Sequence, residues 1–152
     1  MTVAYVGLGA NLGSREETLR RALGLLGDEP GVDVVRVSSF RETDPVGVLD
    51  QPRFVNAVAA VETDLGARAL LEVLLAVERR LGRVRDGTRW GPRVVDLDLL
   101  LYGDDVVDEA GLDVPHPRLH ERRFSLEPLA ELDPDLVVPG RGPVSALLAH
   151  LD

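Results

Sequence analysis

VVDLDLLLYG, residues 94–103, reads as a β-strand that ends at a glycine, and it closes an alternating series of strands and helices. Working back from it, ARALLEVLLAVERRLG (67–82) places apolar residues at helical spacing and ends at Gly82 with arginines in its last turn. FVNAVAAVET (54–63) and VDVVRVSSF (32–40) read as strands on either side of a loop around TDPVGVLDQPR. Before them, Ser14 and Glu17 form a capping box for the helix EETLRRALGLLG (16–27), which Gly27 stops, and TVAYVGLG (2–9) reads as a buried strand. The order is β-α-β-β-α-β. It predicts an α+β, ferredoxin-like fold: an antiparallel sheet with both helices packed on one face. The rest forms a C-terminal extension of short helices and strands: LDVPHPRLHERR as loop and short turn, SLEPLAEL as a helix, LVVP as a strand and PVSALLAHL as a terminal helix.

The chain has 152 residues, which fits one domain, residues 1–152, and a domain of that size buries roughly 70% of its unfolded surface. With 45% hydrophobic and 28% charged residues it belongs among soluble globular chains. There is no cysteine, which excludes disulfides, thiolate metal sites and a cysteine nucleophile. The start MTVAYVGLGANLG has no basic n-region, and nowhere do some 18 apolar residues run together, so no membrane association and a cytoplasmic address are expected. A formal charge of -9 argues against binding a nucleic-acid backbone. All 17 basic residues are arginine, which closes routes through a Walker lysine or a Schiff base. Phosphate must then be met by guanidinium groups, whose planar fork suits it.

The segment GRVRDGTRWGPRVVDLDLLLYG (82–103) carries the most chemistry. Residues two apart on a strand share a face, so Asp96 and Asp98 present two carboxylates side by side. Such a pair repels itself unless a cation lies between, and magnesium takes one or two carboxylates together with waters and substrate phosphates. A polar face on an edge strand would show the same D-x-D. Just upstream, Arg83, Arg85, Arg89 and Arg93 lie in a loop. Either the loop is solvated, or the cluster receives anions; beside two aspartates, the second reading describes a phosphoryl-transfer site.

GLGANLG (7–13) misses the G-x-G-x-x-G spacing by one position, so dinucleotide binding is rejected, and its glycines instead let a strand approach a ligand or neighbouring backbone closely. Phe54 and Asn56 share a strand face, one able to stack on a flat ring and the other to pair with an amide-like edge, and Phe124 offers a second stacking face; each phenylalanine could equally be core. His116, held between two prolines, is either a ligand contact or a structural histidine. Glu78, beside Arg79 and Arg80, reads as an exposed helical acid with only a weak site role.

Taken in order, VAYVGLGANLG, SSF-x-x-T-x-P-x-G, Q-x-x-F-x-N, E-x-x-x-G-R-x-R, RWGPR-x-x-DLDLLLYG, PHP and ER-x-FSLEPL resemble the hydroxymethyl-dihydropterin pyrophosphokinase family over nearly the whole chain. The resemblance implies an enzyme that transfers pyrophosphate from ATP to 6-hydroxymethyl-7,8-dihydropterin in folate synthesis, releasing AMP. It implies two magnesium ions on Asp96 and Asp98. It places Arg83, Arg93 and His116, with Arg85, Trp90 and Arg122, in the blocks that bind ATP or close over it, Arg83 and Arg93 also being expected to act in catalysis. It matches Thr43, Pro45, Phe54, Asn56 and Phe124 to the pterin pocket, Phe54 standing where many members have tyrosine. Gly111 and Asp113 depart from some relatives near the nucleotide. A monomer is expected. Two other readings remain open on the residues alone: a nucleotidyltransferase with the same acids and metals, and a non-catalytic domain that binds a small effector.

Overall fold

The computed structural model describes residues 1–10, 15–43, 53–82 and 95–151. Its centre is β1 (Thr2–Ala10), which pairs antiparallel with β4 (Phe54–Thr63) on one side and β5 (Asp96–Tyr102) on the other. The edge beyond β4 is shared by β2 (Val32–Val37), opposite its distal half, and β3 (Arg41–Thr43), opposite its first three residues. Strand order is β2-β4-β1-β5, and every pairing in it is antiparallel.

The period-two alternation of β1 decides what lies on each face. Ala4, Val6, Leu8 and Ala10 are buried against α1 (Arg15–Gly27) and α2 (Ala67–Gly82), the helices contributing Leu19, Ala22 and Leu26, and Leu70, Leu74 and Val77, at helical spacings. Each of these leucines is fully buried, worth about 1.5–3 kcal/mol of transfer free energy apiece. The other face of β1 is Tyr5, Gly7 and Gly9. Tyr5 joins Val58, Ala60, Leu100 and Leu101 in a second core, which is closed by Leu126 and Leu129 of α3 (Arg123–Leu132), Val144 of α4 (Val144–Leu151) and Leu119 of a preceding 3-10 turn. The sheet is therefore covered on both faces, by α1 and α2 on one and by the C-terminal elements on the other. A bulge makes this possible on β5: Tyr5 pairs with Leu101 and Val6 with Leu99, so Leu100 is an extra residue, and both Leu100 and Leu101 reach the second core.

The strand expected over 32–40 ends at Val37, and a separate short strand, β3, begins beyond it at Arg41. At Ser38 the backbone N–H donates to Val58 O at 2.9 Å, but the Val58 N–H donates to the Ser38 hydroxyl, also at 2.9 Å. A side chain thus replaces a strand carbonyl, the ladder bends, and pairing resumes at Arg41. The segment from 112, expected as loop, starts with the second strand of a hairpin, β6 (Val107–Glu109) and β7 (Leu112–Val114). Its two-residue turn has Gly111 at φ 75°, a conformation that favours glycine, and it buries Leu112 and Val114 in the first core. The expected strand LVVP reduces to β8 (Val137–Val138), paired with β9 (Gly142–Pro143). Ser14 and most of the loop around TDPVGVLDQPR lie outside the described residues. No helix is long and apolar enough to cross a membrane among the described residues.

Candidate active site

Because Gly7 and Gly9 have no side chains, the second core stops short of the end of β1 and leaves a cavity of about 370 Å³ on the α3 face of the sheet. Register sets its width. Gly9 pairs with Asn56 on β4 and with Asp96 on β5, and Gly7 pairs with Asp98. Asn56 and Asp96 thus stand two strand spacings apart, roughly 10 Å, across a glycine floor. Thr43, Phe54, Asn56, Asp96, Asp98, His116, Arg122 and Phe124 all line this one cavity. Pro45, Arg83, Arg85, Arg89, Trp90 and Arg93 lie outside the described residues.

At the β4 end, the Asn56 amide nitrogen donates to Thr43 Oγ1. That bond orients the side chain so that Oδ1 lies over the floor, where a Cβ built on Gly9 would come within 2.8 Å of it. Asn56 is buried, 6% exposed, so its Oδ1 is an anchor point for an N–H of a ligand that excludes water. Phe54, two residues before Asn56 on the same strand, and Phe124 also line the cavity.

At the β5 end, Asp96 and Asp98 project from one face of the strand, and the N–H of Leu97 between them donates to Glu78 Oε2 on α2 at 2.7 Å. Glu78 therefore anchors the backbone that carries both carboxylates from the opposite face. From the sequence alone Glu78 reads as an exposed helical acid with only a weak site role, since nothing local links position 78 to position 97. Arg122 lies 3.6 Å from Asp98 Oδ2, and its guanidinium carbon lies 5.4 Å from the centre of the Phe124 ring. Arg122 thus joins Asp98 to the Phe124 ring.

His116 is fixed by its backbone N–H to Leu100 O at 2.9 Å, and its Nδ1 accepts the Arg118 N–H at 3.2 Å. Burial pushes the imidazole below its ordinary pKa, Arg122 and Arg118 add to that, and Asp98 and Asp113 oppose it. With Nδ1 accepting, the neutral ring carries its proton on Nε2 and is a hydrogen-bond donor. Ser125, next to Phe124, is buried and lines the cavity, although sequence reading gave it no role.

The model of the family 7,8-dihydro-6-hydroxymethylpterin-pyrophosphokinase (HPPK) matches residues 5–134, which span both ends of the cavity. The chain belongs to the HPPK family. It is 48% identical over 130 residues to the 2-amino-4-hydroxy-6-hydroxymethyldihydropteridine pyrophosphokinase of Bacillus subtilis, covering 86% of this chain and 77% of that one. It is 47% identical over 152 residues to the protein of the same name from Methylorubrum extorquens, covering 100% and 95% of the two chains. The fold is similar to that of Plasmodium falciparum HPPK-DHPS, with a TM-score of 0.78 at 12% identity, covering 98% of this chain and 45% of that one. The HPPK-family chain therefore spans under half of that longer protein, and the likeness there is one of fold.

Asp96 and Asp98 suit magnesium, which asks for one or two carboxylates and fills its remaining positions with water and phosphate oxygens. Among the described residues no group of three or more acidic, histidine or cysteine side chains is gathered for a metal. The donor set at this end fits an ion that shares its shell with a substrate, and it does not build a closed structural site.

Proposed function

We propose that this HPPK-family chain transfers the pyrophosphoryl group of ATP to 6-hydroxymethyl-7,8-dihydropterin, giving the pterin diphosphate and AMP in folate biosynthesis. The observation that carries the proposal is the pairing, across one glycine floor in a cavity also lined by Phe54 and Phe124, of a buried amide with two carboxylates about 10 Å away. A bicyclic ring held by its amide-like edge at Asn56 spans that distance with its hydroxymethyl arm directed at the acids.

In this reading Phe54 and Phe124 stack on the ring, Asn56 Oδ1 accepts from it, and Thr43 and Pro45 complete the pocket. The hydroxymethyl oxygen attacks the β-phosphorus of ATP; an O–Pβ bond forms, the bond from Pβ to the oxygen bridging toward Pα breaks, AMP leaves, and the hydroxyl proton passes to solvent. Asp96 and Asp98 would hold two magnesium ions, which would supply neutralisation of the phosphate oxygens. The neutral His116 donates from Nε2 to a phosphate oxygen, and Arg122 gives a guanidinium to the same end. Arg83, Arg85, Trp90 and Arg93 bind the nucleotide, Arg83 and Arg93 contributing charge to the transition state. No protein nucleophile is needed, because positioning and charge account for most of the barrier lowered in such transfers.

The same proposal includes a ferredoxin-like reading of the β-α-β-β-α-β order with a C-terminal extension, a single domain over 1–152, and a monomeric, cytoplasmic enzyme. Incubation with ATP, magnesium and 6-hydroxymethyl-7,8-dihydropterin tests the activity. Equal amounts of AMP and pterin diphosphate are expected. Release of pyrophosphate with an adenylylated pterin would mean nucleotidyl transfer, and binding without ATP consumption would mean a non-catalytic domain.

A further inference from the structure

The pterin end of the cavity has walls on two different elements, and one side chain outside the cavity joins them. Arg41 is the first residue of β3 and pairs with Asn56; two residues on, Thr43 pairs with Phe54 and accepts the Asn56 amide. The Arg41 guanidinium leaves the sheet for α3, where it donates to Glu127 Oε2 at 3.1 Å and to Glu131 Oε1 at 2.9 Å. Glu131 is itself oriented by Ser39, whose N–H and hydroxyl donate to its two oxygens at 2.8 and 2.7 Å. Phe124 lies one turn before Glu127 on the same helix.

Leu126 and Leu129 seat α3 on the second core with Ala130 and Leu132 packed beside them, and Arg36 of β2 donates to Leu132 O at the C-terminal end of the helix. The Arg41 pairs add a polar contact on the flank that carries Glu127 and Glu131. The two glutamates lie one turn apart and share one planar fork, a geometry that fixes direction as well as distance.

We propose that Arg41, with Glu127 and Glu131, is a positioning device that sets the gap between Phe124 and the Thr43–Asn56 pair, and so tunes selection of a flat bicyclic ring. This rests on the assignment of that end of the cavity to the pterin. The three side chains are each about a third exposed, at 35%, 39% and 34%, so the ion pairs contribute little to global stability, and their effect is on geometry.

The test is steady-state kinetics and melting of Arg41→Met, which keeps the alkyl stem, of Glu127→Gln/Glu131→Gln, and of the combined variant. The pterin KM is expected to rise about fivefold or more in each, with the ATP KM and kcat within about twofold of wild type and Tm nearly unchanged; the combined variant adds nothing beyond either parent. Arg41→Lys recovers part of the loss. An unchanged pterin KM in both parents overturns the proposal, as does a parallel loss in pterin KM, ATP KM, kcat and Tm, which is what a merely structural network would give. If Arg41→Met fails to fold, Glu131→Gln alone decides by the same readouts. Asn56→Ala separates the underlying assignment: a normal pterin KM in that variant refutes the pterin end itself, whatever Arg41 does.

Discussion

Substituting Gly9 with alanine adds one methyl group to the cavity floor and nothing else. The new Cβ would lie 2.8 Å from Asn56 Oδ1 and 3.8 Å from the Phe54 ring, while the nearest atoms to a Cβ at Gly7→Ala would be those of the Leu100 side chain, from 3.3 Å. A carbon cannot sit 2.8 Å from an amide oxygen, so Asn56 must turn away, and its Nδ2 bond to Thr43 resists the turn. Either the Thr43 bond breaks or Oδ1 leaves the position from which it would accept the ring. One or two hydrogen bonds at about 0.5–1.5 kcal/mol each give about 0.5–3 kcal/mol, or roughly two- to 150-fold in kcat/KM for the pterin. The fold should lose little, since a single weakened bond of about 1 kcal/mol shifts Tm by about 2–4 °C in a chain of this size. The assay is AMP formation at saturating ATP with varied pterin, beside the ATP KM at saturating pterin. A Gly9→Ala protein with wild-type kcat/KM for the pterin would refute the view that Asn56 is pinned over this floor.

Three further outcomes follow from the same geometry. Glu78→Ala removes the acceptor of the Leu97 N–H and is expected to lower kcat and weaken magnesium dependence by about tenfold, as outer-shell partners of metal ligands commonly do, with the pterin KM preserved; magnesium titration of the rate checks it. Leu74→Ala, at a site with no exposure, is expected to cost about 2–5 kcal/mol in denaturant unfolding while leaving kcat/KM at low temperature near wild type. Hydrogen bonds from Ser39 and then the Arg41 guanidinium hold Glu131 below its ordinary value of 4.5. A depressed carboxylate stabilises the fold above its unfolded pKa and loses that contribution as pH falls through the folded one. Stability of Glu131→Gln should therefore fall less steeply than wild type below about pH 4.5, as measured by urea unfolding from pH 7 to pH 3.

The parts of the fold that rest on short-range pattern were legible in the sequence. Runs rich in β-formers at 2–9, 54–63 and 94–103 mark the three central strands, and the D-x-D spacing on the last of them puts Asp96 and Asp98 on one face. The glycines of β1 permit close approach, and Gly7 and Gly9 line the cavity. What the sequence did not disclose depends on side chains meeting across long chain separations. The hydroxyl of Ser38, by standing in for a strand carbonyl, divides β2 from β3, and nothing in VRVSSF distinguishes that from a continuous strand. The bond from Leu97 to Glu78 spans two elements, and the Arg41 contacts to Glu127 and Glu131 join an edge strand to a helix more than eighty residues away. The hairpin at 107–114 turns at Ala110–Gly111, which lacks the usual asparagine or aspartate before glycine.

The central claim is that Asp96 and Asp98 seat divalent cations against the polyphosphate. Manganese binding, read by electron paramagnetic resonance in the presence of a non-hydrolysable ATP analogue and the pterin, addresses it directly. Two bound ions per wild-type complex, falling to one or none in Asp96→Asn and Asp98→Asn proteins that still bind pterin and melt normally, is the predicted result. Unchanged manganese occupancy in both variants would contradict the claim.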